Sequence, residues 1–559
     1  MGRRFALWHT AIVAAALAMA GCQGAAAPAG SPSTPSAGPK FGGTAVFANR
    51  EDPATWDPQF SAGITLTHVA AGVFGEGNLV KQCRDDVYKV CPHLAESWEV
   101  NSDLTQWTFK LRDNVFWHDG TKFTPEDLEF WLKIHYNGLK VGDKTRPAAA
   151  TKAAWGDLKQ IDLLDGNRVR LTLCAPQPVY LNQISDPQFM VGLVRHLMKA
   201  RMEAGEVMLS PQDVGNVGLG PYKFVKHDKG SMIQVRRFDK YWEKDDKGQQ
   251  LPYLDGLDFP IITDLNTMVA AFRTGRLDGG ARGTGFSLLP QQITALERDL
   301  GDKLNIVKIA GQRWFLMFNV ARPGPQQDLR VRKAMALWID KRAGNQAVMG
   351  GQGFLHTVMD PRSHWPNADW EKWPGFAEST READRREAKS LMAQAGMTGT
   401  VKVQNLCRRT WVTFCEWLNA DLAGLGVDMP LDLKDDATWV QQSRATTDWD
   451  TQILRFDRLF PESLEPQTTR ASLNSGARIK HEDPKIPEFF RRFDAARTLE
   501  QRQQIYRELE RYILVEQVYS IPLFDEVFAF PYRSYVKGLM NPPEDVNHNL
   551  DFVTVWLDK

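Results

Sequence analysis

The sequence predicts an α/β fold in which strands and helices alternate along a chain of 559 residues. Residues 106–111 and 168–173 alternate polar with apolar side chains, which is the pattern of a strand with one buried face. Thr124 precedes Pro125 and Asp127 with the spacing of a capped helix start. Because such signals interleave to the end of the chain, we expect helices layered on sheets, in about three domains or two large lobes.

The remaining elements follow from the same patterns. Ser379 and Glu382 have capping-box spacing, and Gly396 ends the helix that they begin. The other predicted elements are strands at 44–48 and 232–236, a turn at Asp119-Gly120, a helix at 379–395 and two helical segments within 487–515.

Composition and charge exclude two classes of protein. Lys plus Arg and Asp plus Glu both number 68, so the formal net charge is zero, and a chain that binds nucleic acid by neutralising phosphates is not expected. Hydrophobic residues make up 43% of the chain, which is ordinary for a globular protein and excludes a largely disordered one. The 18 tryptophans include candidates for stacking on a ligand.

The N-terminus has the features of a bacterial export signal. Arg3 and Arg4 are followed by an apolar run at 11–20 that is too short to span a bilayer. The run ends in a motif that resembles a lipobox, Leu17-Ala18-Met19-Ala20-Gly21-Cys22. We therefore expect a signal peptide at 1–21 and lipidation of Cys22, the alternative being an ordinary signal peptide cut near Gly21.

Residues 22–40 are predicted to be a lipidated cysteine followed by a flexible tether. They consist mainly of Gly, Ala, Pro and Ser, which cannot bury a core. No later segment has 18 consecutive apolar residues. We expect a protein exported and lipid-anchored to the membrane, in the periplasm or at the cell surface.

The cysteines are consistent with an oxidising compartment. Cys83 and Cys91 are eight residues apart, as are Cys407 and Cys415, and Cys174 is left over. Each pair is a predicted disulfide, stabilising by about 2–3 kcal/mol. The second pair is unbridged if both cysteines lie on one helix, where positions eight apart are too distant. A four-thiolate metal site would usually have CxxC pairs, which this spacing lacks.

Several motifs resemble those of the extracellular solute-binding proteins of family 5, which serve peptide and nickel ABC importers. The resemblance covers the chain from about Gly42 to the C-terminus. The motifs that carry it include Gly42-Gly43-Thr44, Thr55-Trp56-Asp57-Pro58, Leu94-Ala95-Glu96-Ser97-Trp98, Trp117-His118-Asp119-Gly120-Thr121-Lys122-Phe123-Thr124-Pro125-Glu126-Asp127, Gly218-Leu219-Gly220-Pro221-Tyr222, Gly275-Arg276-Leu277-Asp278 and Asp328-Leu329-Arg330-Val331-Arg332-Lys333-Ala334.

The resemblance implies a periplasmic-binding-protein-like type II fold, with two lobes, a hinge and an inserted subdomain. It places lobe I at 41–75, 215–305 and 526–559, the inserted subdomain at 76–214 and lobe II at 306–525. A ligand would be held between the lobes by hinge closure. The same resemblance makes His118, beside Asp119-Gly120, a turn histidine and not an acid–base catalyst.

The family's ligand segment corresponds to residues 449–462. In peptide-binding relatives an aspartate there pairs with the α-ammonium group of the peptide. In register, Phe456 takes the aromatic position and Leu459 the aspartate position, and leucine cannot pair with an ammonium. Asp457 would substitute only if the loop shifts. The candidate ligand contacts are Trp314, Trp439, Arg455, Phe456, Asp457, Arg458 and Leu459.

Three ligand classes remain open at this stage. A peptide requires Asp457 as the ammonium partner. A neutral polyol or oligosaccharide would stack on Trp and Phe faces, with hydrogen bonds from Asp457, Arg455 or Arg458. An anion or metal chelate would meet Arg455 or Arg458. Alternatively these arginines point to solvent or pair with Glu462 and Asp457, and either tryptophan belongs to the core.

The function that the resemblance implies is that of a substrate-binding lipoprotein of an ABC importer, delivering a peptide-like or oligosaccharide-like solute to a permease and its ATPase. We expect a monomer that is not an enzyme, with no catalytic residues, cofactor or metal, since HExxH, GxSxG and GxxxxGK[ST] motifs are absent. A sensor that presents ligand to a membrane receptor and, less favoured, a secreted hydrolase are the alternatives.

Overall fold

Two long antiparallel strands, Leu304–Phe318 and Ser520–Arg533, form the centre of the computed structural model; they belong to its five-stranded sheet and are joined to a four-stranded sheet by isolated bridges at Gly279. The structure describes residues 38–53, 55–57, 59–60, 77–84, 89–149, 157–185, 191–280, 286–355, 373, 375–445, 448–456, 483–539 and 552–559. Within them, residues from Pro39 onward form one compact unit.

The strands are numbered in chain order through the described residues. They are β1 (Thr44–Val46), β2 (Val80–Gln82), β3 (Val90–Pro92), β4 (Ala95–Val100), β5 (Gln106–Leu111), β6 (Leu139–Val141), β7 (Lys144–Arg146), β8 (Leu158–Leu164), β9 (Arg168–Leu173), β10 (Tyr222–Asp228), β11 (Met232–Arg237), β12 (Gly256–Pro260), β13 (Leu304–Phe318), β14 (Val401–Lys402), β15 (Asn405–Arg408), β16 (Val427–Asp428), β17 (Leu431–Lys434), β18 (Thr451–Phe456), β19 (Ser520–Arg533), β20 (Val536–Lys537) and β21 (Trp556–Leu557).

The α-helices are numbered in the same way. They are α1 (Pro125–Asn137), α2 (Tyr180–Ile184), α3 (Arg195–Glu203), α4 (Leu265–Arg273), α5 (Pro290–Leu300), α6 (Leu329–Trp338), α7 (Lys341–Met349), α8 (Arg381–Gln394), α9 (Val412–Ala423), α10 (Asp436–Ala445), α11 (Lys485–Ala495) and α12 (Leu499–Arg511).

The first sheet has the strand order β10–β11–β12–β1 and joins the central strands through Gly279. Phe47, just after β1, pairs in parallel with Gly279, which pairs antiparallel with Tyr532 of β19. Phe47, Phe259 and Tyr532 are buried in one hydrophobic cluster with Phe552 near the C-terminus. Burying a large apolar side chain contributes about 1.5–3 kcal/mol. This cluster therefore packs the first sheet firmly against the end of the central strands that contains Tyr532.

The second sheet has the strand order β17–β15–β18–β13–β19 and carries helices on both faces. Leu316 and Phe318 of β13 pack with one cluster, which includes helices α6, α8 and α9. The alternate residues Phe315 and Met317 pack with another, which includes α10, α11 and α12. The strand is therefore apolar on both sides, as a strand buried between two helical layers must be.

The third sheet is antiparallel, with the order β4–β5–β9–β8. Trp107 and Phe109 of β5 and Leu171 of β9 face a single buried cluster that also contains Leu128 and Trp131 of α1. The apolar residues of the alternating pattern in the sequence thus lie on the face of the sheet that packs against α1.

We call β13 and β19 together the ribbon. They pair from Leu304–Arg533 at the first sheet to Met317–Ser520 at the second, and the register is irregular between Ala310 and Phe315. At Gly311, inside that stretch, a Cβ atom would lie 3.0 Å from the backbone oxygen of Glu526, so a larger residue would force the two strands apart by a few tenths of an ångström.

The structure confirms most of the predicted elements. The strands at 106–111 and 168–173 have the predicted bounds. The helix at 379–395 begins later, because residues 378–380 form a 3-10 turn that leaves Thr380 at the cap position. The capping box of Ser379 with Glu382 was therefore wrong. The helix ends before Gly396, whose φ is +75°.

Each close pair of cysteines is joined by a disulfide in the structure. Cys83 and Cys91 lie on either side of the β2–β3 hairpin, with Cα atoms 5.0 Å apart. Cys407 is in β15 and Cys415 in α9, with Cα atoms 6.6 Å apart, so the pair does not lie on one helix. Cys174 is free and exposed.

His118 connects two loops as a half-buried structural residue. Its Nε2 lies 3.0 Å from the carbonyl oxygen of Gly220, and its Nδ1 accepts a hydrogen bond of 3.1 Å from the amide of Gly218. Burial lowers the pKa of His118 to about 4, because the imidazolium form would lose its hydration. This is the structural role that the sequence predicted.

We expect this histidine to make the protein sensitive to acid. Between about pH 6.5 and pH 4, His118 is protonated in the unfolded chain but neutral in the folded chain. The free energy of unfolding therefore decreases as the pH falls through this range. In urea titrations, the free energy of unfolding should drop between about pH 7 and pH 4.5 by about 2 kcal/mol more in the wild type than in His118→Gln. Buried His135, whose pKa is also lowered, contributes equally to both proteins. An equal loss in the two proteins would contradict this role of His118.

Candidate functional site

The parallel strands of the second sheet all end at one edge. β15 pairs in parallel with both β17 and β18, so Arg408, Lys434 and Phe456 end their strands side by side. β18 is antiparallel to β13 and places Phe456 opposite Arg313, inside the irregular stretch of the ribbon. This carboxyl edge therefore points along the ribbon toward the first sheet.

The first sheet points its own carboxyl edge in the opposite direction. β1 and β12 are parallel, and the Phe47–Gly279–Tyr532 pairing sets β1 antiparallel to β19. β1 thus runs in the same sense as β13, and the chain that follows Val46 and Pro260 leads toward the second sheet. In open α/β sheets ligands bind outside the carboxyl ends of parallel strands, and here two such edges face each other across one ribbon.

Arginine and tryptophan side chains alternate at the edge of the second sheet. We call Trp314, Arg408, Trp411, Trp439 and Arg455 the arginine–tryptophan cluster. Trp314 comes from β13, Arg408 and Arg455 from the ends of β15 and β18, and Trp439 from α10. Trp411 lies in the short 3-10 turn between β15 and α9.

Each guanidinium of the cluster lies over two indole rings. The Cζ atom of Arg408 is 4.5 Å from the ring centroid of Trp411 and 4.6 Å from that of Trp439. The Cζ atom of Arg455 is 5.5 Å from the rings of both Trp314 and Trp411. These are cation–π distances, worth about 0.5–2 kcal/mol each, and they hold the guanidinium planes in place.

The tryptophans also support one another. Trp411 meets Trp314 edge to face at 5.1 Å and Trp439 at 5.3 Å. Behind them, Phe414 of α9 stacks on Trp314 at 4.5 Å, with the rings 19° from parallel. The disulfide of Cys407, next to Arg408, holds β15 to the same helix. The cluster is therefore braced from the sheet, the helix and the turn together.

Acidic side chains lie near both arginines of the cluster but beyond hydrogen-bond distance. Arg408 Nε is 3.8 Å from Asp436 Oδ1, and Arg455 Nη1 is 3.6 Å from Glu526 Oε2 on the ribbon. The side chains of Arg408 and Arg455 remain 20% and 30% exposed. The carboxylates thus attract the two guanidinium groups but accept no hydrogen bond from them at these distances.

A fully buried ion pair lies at the irregular stretch of the ribbon. Arg313 and Asp525 face each other across the two strands, with Arg313 Nε 3.7 Å from Asp525 Oδ1. The side chains are only 4% and 3% exposed. The backbone of Asp525 also pairs with Phe354, which closes the outer edge of β19 at this point. Charge and backbone pairing therefore hold the ribbon together where its register is broken.

The structure brings together three of the residues that the sequence proposed for ligand contact. Trp314, Trp439 and Arg455 all belong to the arginine–tryptophan cluster, and both tryptophans are 5% exposed. Phe456 ends β18 at the same edge. Asp457, Arg458 and Leu459 lie outside the described residues, as does Cys22.

Sequence reasoning missed Arg408, Trp411 and Glu526. Arg408 and Arg455 are 47 residues apart in sequence and meet only because their strands are parallel neighbours of one sheet. The available signal was the dipeptide Arg408-Arg409 directly after a short apolar strand, since a polar residue at a strand's carboxyl end is a candidate ligand contact.

Two cavities lined by described residues lie elsewhere in the fold. One is lined by Lys144, Arg201 and Met208, among others, and the other by Lys341 and Phe376 with their neighbours. Neither is lined by a residue of the arginine–tryptophan cluster. Among the helices of the described residues, none is long and apolar enough to cross a membrane.

The chain is similar to known proteins over most of its length. The model of "Bacterial extracellular solute-binding proteins, family 5 Middle" matches residues 89–479. A dipeptide-binding protein of Escherichia coli strain K12 is 25% identical over 407 residues, covering 69% of this chain and 70% of that protein. The periplasmic oligopeptide-binding protein OppA of Haemophilus influenzae is 23% identical over 513 residues, covering 88% and 90%.

A solved structure shows the same fold. The crystal structure of the ABC transporter substrate-binding protein CtaP from Listeria monocytogenes matches with a TM-score of 0.74 at 18% identity, covering 93% of this chain and 100% of that one. The fold is therefore the two-lobed type II fold of periplasmic binding proteins, as the sequence predicted.

The buried pair of the ribbon yields a stability prediction. We expect Asp525→Asn to lower the free energy of unfolding by about 3–5 kcal/mol, because it removes the carboxylate charge that the buried Arg313 guanidinium faces at 3.7 Å. The matched control is Asp258→Asn, whose partner Arg236 lies 2.7 Å away in a half-exposed pair. That variant should lose less than about 1 kcal/mol. Equal losses in urea unfolding would contradict the special cost of the buried pair.

Proposed function

The chain belongs to the bacterial extracellular solute-binding proteins of family 5, and from that premise we propose that it captures a solute between its two lobes and delivers it to the permease of an ABC importer. The observation that carries the proposal is the pair of carboxyl edges that face each other across the ribbon. A solute placed there touches both lobes at once, and its binding energy can then favour the closed arrangement.

The proposed lobes follow the ribbon. Lobe I comprises 41–75, 215–305 and 526–559, and lobe II comprises 306–525, with the subdomain at 76–214 inserted into lobe I. On this division the boundaries at 305/306 and 525/526 fall on β13 and β19. Two strand crossings are few enough to bend, and we propose that the bend lies in the stretch of irregular register at Ala310–Phe315.

The solute of this chain is proposed to be peptide-like or oligosaccharide-like. The curated relatives named above are peptide-binding proteins, which favours a peptide. Of the three indoles of the arginine–tryptophan cluster, Trp411 is the partly exposed one on which a ligand of either class could stack, whereas Trp314 and Trp439 are buried in hydrophobic clusters. Residues 457–482, which include the alternative ammonium partner Asp457, lie outside the described residues.

The proposed location is outside the cytoplasm, lipid-anchored to the membrane, in the periplasm or at the cell surface. Support comes from the sequence, in which Arg3 and Arg4, the apolar run and the motif ending at Cys22 have the order of a lipoprotein signal. On this proposal the mature protein begins at Cys22 and is lipid-anchored, and it works as a monomer beside the permease.

One preparation tests the proposal. The full chain is purified from expressing cells without denaturation, and native mass spectra are recorded before and after unfolding. We expect a non-covalent solute in the first spectrum and its release in the second. The covalent mass reports whether residues 1–21 are absent and Cys22 carries lipid.

The proposal has a definite contrary result. A native mass equal to the covalent mass, together with a melting temperature unchanged by a panel of short peptides and oligosaccharides, would overturn solute capture, because any ligand that binds only the folded chain stabilises it.

A further inference from the structure

A hydrogen bond joins lobe II to the inserted subdomain through two residues that do not belong to the ribbon. Arg497, between α11 and α12, donates it from Nη1 to the carbonyl oxygen of Ser102, between β4 and β5, over 2.7 Å. We propose that this bond is a clasp, which forms when the lobes close and slows the release of the solute. The inference rests on the proposed function and its division into lobes, and it adds a positioning residue outside the cleft.

The inserted subdomain is fixed firmly to lobe I. Arg146 of β7 forms an ion pair with Asp57, in the chain that follows β1, and the two side chains are 0% and 2% exposed. The Nε atom of Arg146 also donates a hydrogen bond of 3.0 Å to Gln59. A second ion pair of 3.0 Å joins Lys81 of β2 to Glu243. Because breaking a buried pair leaves a charge without its partner, the subdomain is expected to move with lobe I as one body.

The backbone of Arg497 is fixed to lobe II at the start of α12. Thr498 caps this helix and forms a capping box with Gln501, whose Oε1 atom accepts a hydrogen bond of 2.9 Å from the amide of Arg497. The helix itself is held by Tyr506 and Leu509, which are buried in the hydrophobic cluster on one face of the second sheet. The Arg497 side chain therefore extends from a rigid part of lobe II.

The turn that accepts the bond is also well defined. Asn101 Oδ1 accepts hydrogen bonds of 2.9 Å from the amides of both Thr105 and Gln106, which closes the turn between β4 and β5. The Ser102 hydroxyl donates to the carboxylate of Asp103 over 3.3 Å. This carboxylate places a negative charge beside the accepting carbonyl, so a cationic donor suits the position better than a neutral one.

The length of the clasp depends on the angle between the lobes. On the proposed division, bending at the ribbon moves lobe II relative to lobe I and the attached subdomain, and so changes the distance from Arg497 to Ser102. A donor and acceptor more than about 3.5 Å apart no longer form a hydrogen bond. The bond is therefore made in the closed arrangement and lost in the open one, and it favours closure by the difference.

Cross-linking of the full chain tests whether the two residues meet in solution. The chain carries Ser102→Cys and Arg497→Cys, and Cys22 and Cys174, which lie outside the disulfides, are replaced by serine. A short bismaleimide should join this pair at least about tenfold faster than the control pair of Ser102→Cys with Arg511→Cys. Arg511 ends α12, a helix of 13 residues and about 20 Å in length.

Substitution of Arg497 tests what the clasp does. The chain is purified with its retained solute and dialysed, and native mass spectra follow the fraction of molecules that still carry the solute. We expect release about fivefold faster or more in Arg497→Ala, and a smaller effect in Arg497→Lys, whose ammonium still donates. The matched control is Arg491→Ala, at an exposed arginine of α11, which should release solute at the wild-type rate.

Two results would overturn the clasp. One is cross-linking of the 102/497 pair no faster than of the control pair, a measurement that requires no solute. The other is equal release of solute from the wild type and folded Arg497→Ala. If the cross-linking is selective in a chain that neither retains nor binds any solute, the clasp between the lobes stands and the proposed solute capture fails.

Discussion

The pairing of β13 with β19 is the constraint on which the rest of the structure depends. One half of this ribbon is linked to the first sheet by isolated bridges through Gly279 and Tyr532, and the other half belongs to the second sheet, where Leu316 and Phe318 are buried. The same two strands thus connect the two sheets, and their register is broken between them. Gly311 and the Arg313–Asp525 pair keep the strands together across that break.

In this arrangement the well-packed second sheet is stiff, and the irregular stretch of the ribbon is the part expected to bend. Clusters of large apolar side chains cover both faces of the second sheet, and such packing resists deformation. The irregular stretch has fewer ladder bonds and carries the buried Arg313–Asp525 ion pair beside its apolar side chains. A change of angle between the lobes is therefore expected there, and the carboxyl edges on either side are the surfaces that such a change brings together.

Much of the fold could be predicted because its signals are local. The alternation at 106–111 and 168–173 and the caps at Thr124 required no knowledge of distant contacts. The site was harder, because Arg408 and Arg455 become neighbours only through parallel pairing of strands far apart in the chain. The resemblance to family 5 pointed to Trp314 and Trp439, but a family motif could not reveal that guanidinium groups lie over these rings.

The central claim is that the two lobes close on a solute by bending at the ribbon. Small-angle X-ray scattering of the full chain tests it most directly, comparing the solute-free protein with the same protein after the released solute is restored. The account predicts a smaller radius of gyration with solute and an unchanged circular dichroism spectrum, because the lobes move as intact bodies. Bound solute with an unchanged radius of gyration would contradict it.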